Sequence, residues 1–157
     1  MQQAQDSLNP WTHADFMVLS HEDQDSAMPH PYWYGWIVGI FHMQVRHIGP
    51  CSNSTEIQRI DFLWVQWFGC DMDYCAGWKR KRLHRLGFLS DDGAFGFLDP
   101  NHIIRGVHLI PGFALGKTPT YLGPLITCQD SENHKDWYRY FNMSVILFFI
   151  FGICIEN

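Results

Sequence analysis

Short apolar and aromatic runs, separated by turn-forming residues, follow one another along most of the chain. Three of them have the length of a strand or more: DFMVLS at 15–20, YWYGWIVGIFHMQVR at 32–46 and IDFLWVQWF at 60–68. Their β-branched and aromatic residues favour strands over helices. Gly35 and Gly39 lie inside the long second run and predict a bend or bulge there.

The later segments continue this alternation of short strands and turns. Residues 79–86 predict a helical turn or an exposed strand, and residues 87–98 predict a hairpin with a turn at Asp92-Gly93. Residues 103–111 predict a last strand. No ten-residue stretch is convincingly amphipathic. The sequence therefore predicts a mainly β fold, a small twisted β-barrel or sheet with short helical turns and irregular loops.

The composition fits one globular domain. The chain has 157 residues, of which 46% are hydrophobic and 17% charged, and this excludes global disorder. We predict a flexible N-terminus at 1–10, a single β-rich domain at 11–142 and an apolar tail at 143–157. The tail has eleven residues without a polar break, VILFFIFGICI, whereas a membrane helix needs about 20.

The N-terminal sequence and the cysteines predict the compartment. The first 24 residues are polar and acidic and do not resemble a signal peptide. The five cysteines have no regular spacing, which favours reduced thiols. These observations predict an intracellular protein, nuclear or cytoplasmic, that does not act at a membrane.

Basic residues are concentrated in one place. Five of the eleven lie within seven positions, and the rest of the chain has six basic against sixteen acidic residues. Such an island predicts contact with the nucleic-acid backbone. A solvated turn or helix end is the alternative explanation. The residues concerned are Lys79, Arg80, Lys81, Arg82 and Arg85.

The tryptophans suggest a second kind of site. A carboxylate beside aromatic rings is the arrangement that binds methylated ammonium groups. Asp61 precedes the aromatic strand, and rings are available nearby, so an aromatic ligand-binding surface is one prediction. The alternative is that the same rings fill the core. The candidate rings are Trp33, Trp36, Trp64 and Trp67.

The sequence carries no catalytic signature. It has neither a G-x-S-x-G elbow nor a glycine-rich phosphate loop. Cys70, Cys75 and His84 would supply three zinc ligands, but no second pair with standard spacing follows. We therefore predict no catalytic residues, no metal and no cofactor, and we favour a non-enzymatic role for this chain alone.

Six segments resemble one fungal family: HPYWY from His30, GIFH from Gly39, RIDFLWVQWFG from Arg59, GWKRKRLHRLGF from Gly77, FGFLDPNHIIRGVHLIP from Phe95 and DWYRYFNM from Asp136. They are similar to the C-terminal region of the transposase-like proteins associated with Plavaka-type DNA transposons of mushroom-forming fungi. The resemblance implies a transposon-derived protein with a longer chain. No catalytic acidic residue of a transposase falls on these motifs.

The chain departs from that family in two places. The family has a small residue and an arginine where this chain has Gly35-Trp36. The match then stops at Asn142-Met143, before the apolar run. This second departure predicts that residues 144–157 are a gene-model artefact translated from non-coding sequence.

The order of the apolar runs also resembles bromo-adjacent-homology domains, with matches at Asp15, 37–41, 65–68 and 104–109. That resemblance implies a β-rich interaction module without enzymatic activity. Two functions follow. The first is a non-catalytic module of a transposon-derived nuclear protein that binds protein, chromatin or the nucleic-acid backbone. The second is a fragment of a DNA transposase that contributes to DNA binding or strand transfer in a longer chain.

Overall fold

The described part of the molecule is built from β-strands. The computed structural model describes residues 8, 14–20, 30–49, 56–77, 80–90, 92–118 and 136–143. Within these ranges there is no α-helix, and turns of 3-10 helix lie at Pro100–His102 and Phe113–Leu115. The predicted mainly β class is confirmed, and the sheet is strongly curled into a half-barrel. The strands are β1 (Asp15–Leu19), β2 (Tyr32–Val45), β3 (Gln58–Cys70), β4 (His84–Phe88), β5 (Phe95–Leu98), β6 (Ile103–Gly106), β7 (Leu109–Pro111), β8 (Lys117–Thr118), β9 (Asp136–Trp137) and β10 (Tyr140–Asn142).

Eight antiparallel strands form the main sheet, in the order β6-β1-β2-β3-β4-β10-β7, with β5 also paired to β3. Its two edge strands belong to one segment, 103–111, which the sequence predicts as a single strand. Val107 N–H donates to Asp15 O at 3.0 Å, and Met143 N–H donates to His108 O at 3.2 Å. The chain therefore crosses from one edge of the sheet to the other at Val107-His108. The small separate ladder of β8 with β9 lies outside this sheet.

The two longest strands, β2 and β3, extend beyond the rest of the sheet. The register between them shifts between Ile37 and Gly39, which confirms the predicted irregularity at Gly39, whereas Gly35 pairs regularly with both neighbouring strands. β1 pairs with β2 only at 32–36, and the last hydrogen bond on that side runs from Ile37 N–H to Ala14 O at 2.8 Å. We call residues 39–45 of β2 and 58–64 of β3 the arm.

The core has two clusters on opposite faces of the sheet, because neighbouring side chains of a strand point to opposite sides. Together with the partly buried residues packed against it, the first draws on seven strands, including β6, β7 and β10, and so fills the concave side. Its buried members are Met17, Tyr34, Phe68, Leu86, Phe88 and Val107. The second covers the other face of β1, β2, β3 and β6, with Ala14, Phe16, Val18, Ile37, Leu63, Val65 and Ile103. A Cβ at Gly35 would collide with the Phe16 ring, so glycine is required there.

The predicted hairpin over 87–98 is wrong. β4 and β5 do not pair with each other; both run antiparallel to β3, one after the other along the same edge. Between β4 and β5 the chain leaves the ladder after Leu89 and rejoins it at Ala94, and both of these residues bond to Trp67 of β3. Leu89 N–H donates to Trp67 O at 3.1 Å, and Trp67 N–H donates to Ala94 O at 2.8 Å. The Asp92-Gly93 turn therefore lies in an excursion from one long pairing with β3.

Candidate interaction surface

Apolar side chains line one face of the arm and continue onto β5. The rings of Phe41 and Phe62 stack with centroids 5.6 Å apart, and Phe97 meets Phe62 edge-on at 5.5 Å. Trp64 contacts Phe95 at 5.9 Å. Met43 pairs with Ile60 one step further along the arm. We call the whole set the aromatic strip: Phe41, Met43, Ile60, Phe62, Trp64, Phe95 and Phe97.

Much of the aromatic strip is accessible. Phe97 is 75% exposed and Phe41 is 45% exposed, and Met43, Ile60 and Phe95 are exposed to a similar degree as Phe41. Single apolar side chains at a surface are ordinary, but contiguous apolar patches mark binding sites or interfaces. The strip is an extension of the concave side, because Phe62, Trp64, Gln66 and Phe68 alternate onto the same face of β3.

The opposite face of the arm is more polar. His42 pairs with Asp61 and Gln44 pairs with Arg59 across the two strands. Arg59 Nε donates to Asp61 Oδ1 at 2.8 Å, and the side chain of Asp61 remains 53% exposed. The apolar exceptions are Ile40, with 54% of its surface accessible, and its partner Leu63, which is buried against the core. The arm therefore has one aromatic face and one mixed face.

The four predicted cage tryptophans are divided between the two faces of the sheet. Trp33 and Trp67 contact each other edge-on at 6.1 Å, on the face that also carries Asp61. Trp36 lies by Phe88 at 5.8 Å on the concave side, and Trp64 belongs to the aromatic strip.

Asp61 is also separated from the pair on its own face. Six strand residues, about 20 Å, separate Asp61 from Trp67. The structure thus brings Trp33 and Trp67 together, but it does not assemble the five predicted residues into one cage.

The residues of the basic island also have different environments in the structure. Lys79 lies outside the described residues. Arg80, Lys81 and Arg82 are exposed in the turn before β4, which is closed by a 2.9 Å hydrogen bond from Gly77 N–H to Arg82 O. Within the described ranges, no ion pair involves these three side chains.

Arg85, by contrast, belongs to a partly buried ion pair. Its guanidinium lies 2.9 Å from Asp71 Oδ2, and Arg139 of the β9–β10 segment donates to the same oxygen at 3.0 Å. Burial alone would raise the pKa of Asp71, but the hydrogen bond from Arg139 and the charges of both arginines hold it below its ordinary value. The Arg85 side chain also stacks over Tyr74 at 4.3 Å. Arg85 therefore joins β4 to the neighbouring segments.

On the concave side of the sheet, β1 and β3 each contribute a polar residue that is at least partly buried. Gln66 is fully buried on the concave side, and neither its amide nitrogen nor its oxygen has a hydrogen-bond partner among the described residues. Asp15, opposite Trp36, is partly buried, and this burial raises the pKa of its carboxyl to about 7. The sequence signal for Gln66 is a lone amide in the run FLWVQWF, and Asp15 opens the first apolar run.

The part of the chain that the structure describes contains no group of three or more His, Cys, Asp or Glu side chains that could hold a metal ion. A histidine pair is present at His30 and His84, whose ring centroids are 4.9 Å apart. No helix in the described ranges is long and apolar enough to span a bilayer.

No protein-family model, curated protein or solved structure matches the chain. The aromatic strip is therefore the most specific basis for a functional proposal.

Proposed function

We propose that this chain is a non-catalytic interaction module that binds a protein partner through the aromatic strip. The observation that supports the proposal is the continuous row of accessible rings on the arm and β5. Aromatic side chains and methionine are enriched at protein interfaces because they contribute large apolar area. The partner would present apolar side chains to this face, and a chromatin protein is the partner class that the resemblance to bromo-adjacent-homology domains implies.

The charges around the strip favour protein over nucleic acid. β2 contains no Lys, Arg, Asp or Glu along its whole length. Arg59 on the adjoining strand is paired with Asp61. Nucleic-acid binding depends on cations that neutralise phosphates, even where bases stack on aromatic rings. A strip without cations therefore fits an apolar protein segment better than a nucleic acid.

A matched pair of phenylalanines tests the proposal. Peptides selected from a random displayed library against the wild-type chain should be rich in apolar residues, and Phe97→Ser should weaken their binding by about tenfold or more because an exposed interface ring is lost. Phe113, 66% exposed but outside the strip, supplies the control Phe113→Ser. Equal losses in both variants, or selection of purely charged peptides, would contradict the proposal. Histone-tail peptides as probes test its chromatin form.

A second function, contact with the nucleic-acid backbone, is favoured by the turn that exposes Arg80, Lys81 and Arg82 together. If the turn binds phosphates, replacing all three by Ser should make the negative slope of log affinity against log salt for duplex DNA shallower by about 2–3. Arg46→Ser, beyond the end of β2, is the control. An unchanged slope would exclude this turn as the contact, both in a module and in a longer transposase.

A further inference from the structure

We infer that the open edge of β2 in the arm pairs antiparallel with the same edge of a second copy of this chain, giving a two-fold dimer with one continuous sheet. This inference is independent of the proposed protein partner. It concerns the backbone edge of β2, whereas the proposed function concerns the face of the arm.

The edge is long and accessible. β3 covers one side of β2 from 34 to 45, but on the other side β1 ends its pairing at Trp36 and its last bond at Ile37. No described residue pairs with the outer side of 39–45. An uncovered edge of seven residues presents unpaired N–H and C=O groups to another strand.

The edge also lacks the features that normally prevent pairing. Natural edge strands carry lysine, proline, inward charges or bulges. In β2 the irregularity lies before Gly39, and the following residues, GIFHMQV, include neither a proline nor a lysine or carboxylate. Ile40 and Phe41 are both accessible, one on each face. Such an edge fits an uncharged, apolar strand.

β2 itself is such a strand, and it is complementary to itself in one register. With His42 on the two-fold axis, Gly39 faces Val45, Ile40 faces Gln44 and Phe41 faces Met43 of the other copy. In this register odd-numbered residues face odd-numbered ones, and side chains directly opposite each other point to the same side of a sheet. Both aromatic strips therefore lie on the same face of the joined sheet. Val45 lies opposite Gly39, where the glycine leaves room because the Phe41 ring already covers it. The flexible Met43 side chain lies opposite Phe41 and can adapt to the ring.

The residue at the axis is a histidine and carries no permanent charge. His42 pairs with Asp61 on its own β3, so the row across the dimer reads Asp61, His42, His42, Asp61. Two permanently charged side chains of equal sign would repel each other at the axis, and the wild-type row places no such pair there. Because a strand pair is small beside the roughly 1,600 Å² of a standard interface, we expect a weak dimer with a dissociation constant on the order of micromolar.

Charge substitutions at His42 test both the dimer and its register. Sedimentation velocity over the micromolar range should show a monomer–dimer equilibrium for the wild type. His42→Lys should raise the dissociation constant by about tenfold or more, because two ammonium groups meet at the axis. The monomer should stay folded, since the introduced ammonium group would face Asp61 across the hairpin. His102→Lys, at an exposed histidine of a 3-10 turn, is the control and should dimerise like the wild type.

Mixing His42→Lys with His42→Asp should restore dimers, because opposite charges then meet at the axis. A monomeric wild type would overturn the inference. So would dimers that survive His42→Lys, or a mixture that fails to recover them while the wild type dimerises. A monomeric wild type that still binds apolar peptides through Phe97 would leave the proposed function standing, so the two ideas fail separately.

Discussion

The same two strands, β2 and β3, have opposite environments at their two ends. At 32–38 and 65–70 they are enclosed by β1, β4 and the two core clusters, and we call this enclosed part of the sheet, with β1, the barrel half. In the arm the hairpin continues without β1 or β4, and large apolar side chains remain accessible. The backbone ladder is continuous throughout, apart from the irregularity at Gly39.

This contrast shows that strand formation and burial are separate questions in this chain. The barrel half and the arm use the same residue types, including Phe, Asp and Gln, for different purposes. In the barrel half a buried apolar side chain stabilises the fold, and a buried polar one destabilises it because it loses its contact with water. In the arm the same kinds of side chain are exposed and can contact a partner. Three matched pairs of substitutions test the contrast.

Of the three pairs, the phenylalanines should differ most in how much their substitution lowers the free energy of unfolding. Phe16 is fully buried beside Trp67, with ring centroids 5.7 Å apart, whereas Phe97 is mostly exposed. Phe16→Ala should lower the free energy of unfolding by about 3–5 kcal/mol, because it removes a buried ring and leaves a cavity. Phe97→Ala should change it by less than about 0.5 kcal/mol. Urea denaturation measures both, and equal losses would show that this end of the aromatic strip is buried in solution.

The aspartate pair tests the cost of burial through pH. The folded-state pKa of Asp15 is raised to about 7, so the folded chain holds this proton between about pH 4 and 7 while the unfolded chain has lost it. Stability should therefore fall as pH rises through that window. Asp15→Asn should raise the free energy of unfolding by about 2 kcal/mol at pH 8 and change it little at pH 4.

Asp61→Asn is the matched control in the arm. Its carboxylate is exposed and, among the described residues, forms its ion pair with an exposed arginine, so its removal should leave stability within experimental error at both pH values. A gain at pH 8 in Asp61→Asn equal to that in Asp15→Asn would show that the effect comes from net charge and not from burial.

The glutamine pair gives the smallest difference. Gln66 is fully buried without a hydrogen-bond partner among the described residues, and an unsatisfied buried amide costs about 1–3 kcal/mol. Gln66→Met keeps most of the volume and should raise the free energy of unfolding by about 1 kcal/mol. Gln44→Met, on the exposed arm, should leave it unchanged. A loss of stability in Gln66→Met would mean that the amide is satisfied in solution.

The sequence predicts the strands better than their environment. Periodicity and residue type locate β1, β2 and β3 to within a few residues, and the glycine pattern identifies the irregularity at Gly39. These features depend on local chemistry, which the sequence contains directly. The predictions that fall on 1–7, on Lys79 and on the apolar tail from 144 lie outside the described residues.

Pairing and exposure depend on distant segments, and there the sequence predicts less. Asp92-Gly93 is a good hairpin signal, yet β5 pairs with β3, with Phe97 opposite Trp64 and Phe95 opposite Gln66. Residues 103–111 look like one strand, but their two halves serve opposite edges of the sheet. The aromatic strip is missed for the same reason, since FLWVQWF is apolar on both faces and does not reveal which end is covered.

The segment 103–111 also has a consequence for the order of folding. Its two strands reach their places only when β1, about 90 residues earlier, and β10, some 30 residues later, are both present. Contacts between such distant segments form slowly because of the entropy of loop closure. The β2–β3 hairpin, joined by a connection of about a dozen residues, needs no such partners. We therefore expect the arm to form early and to display its rings to other molecules before the rest of the sheet has assembled.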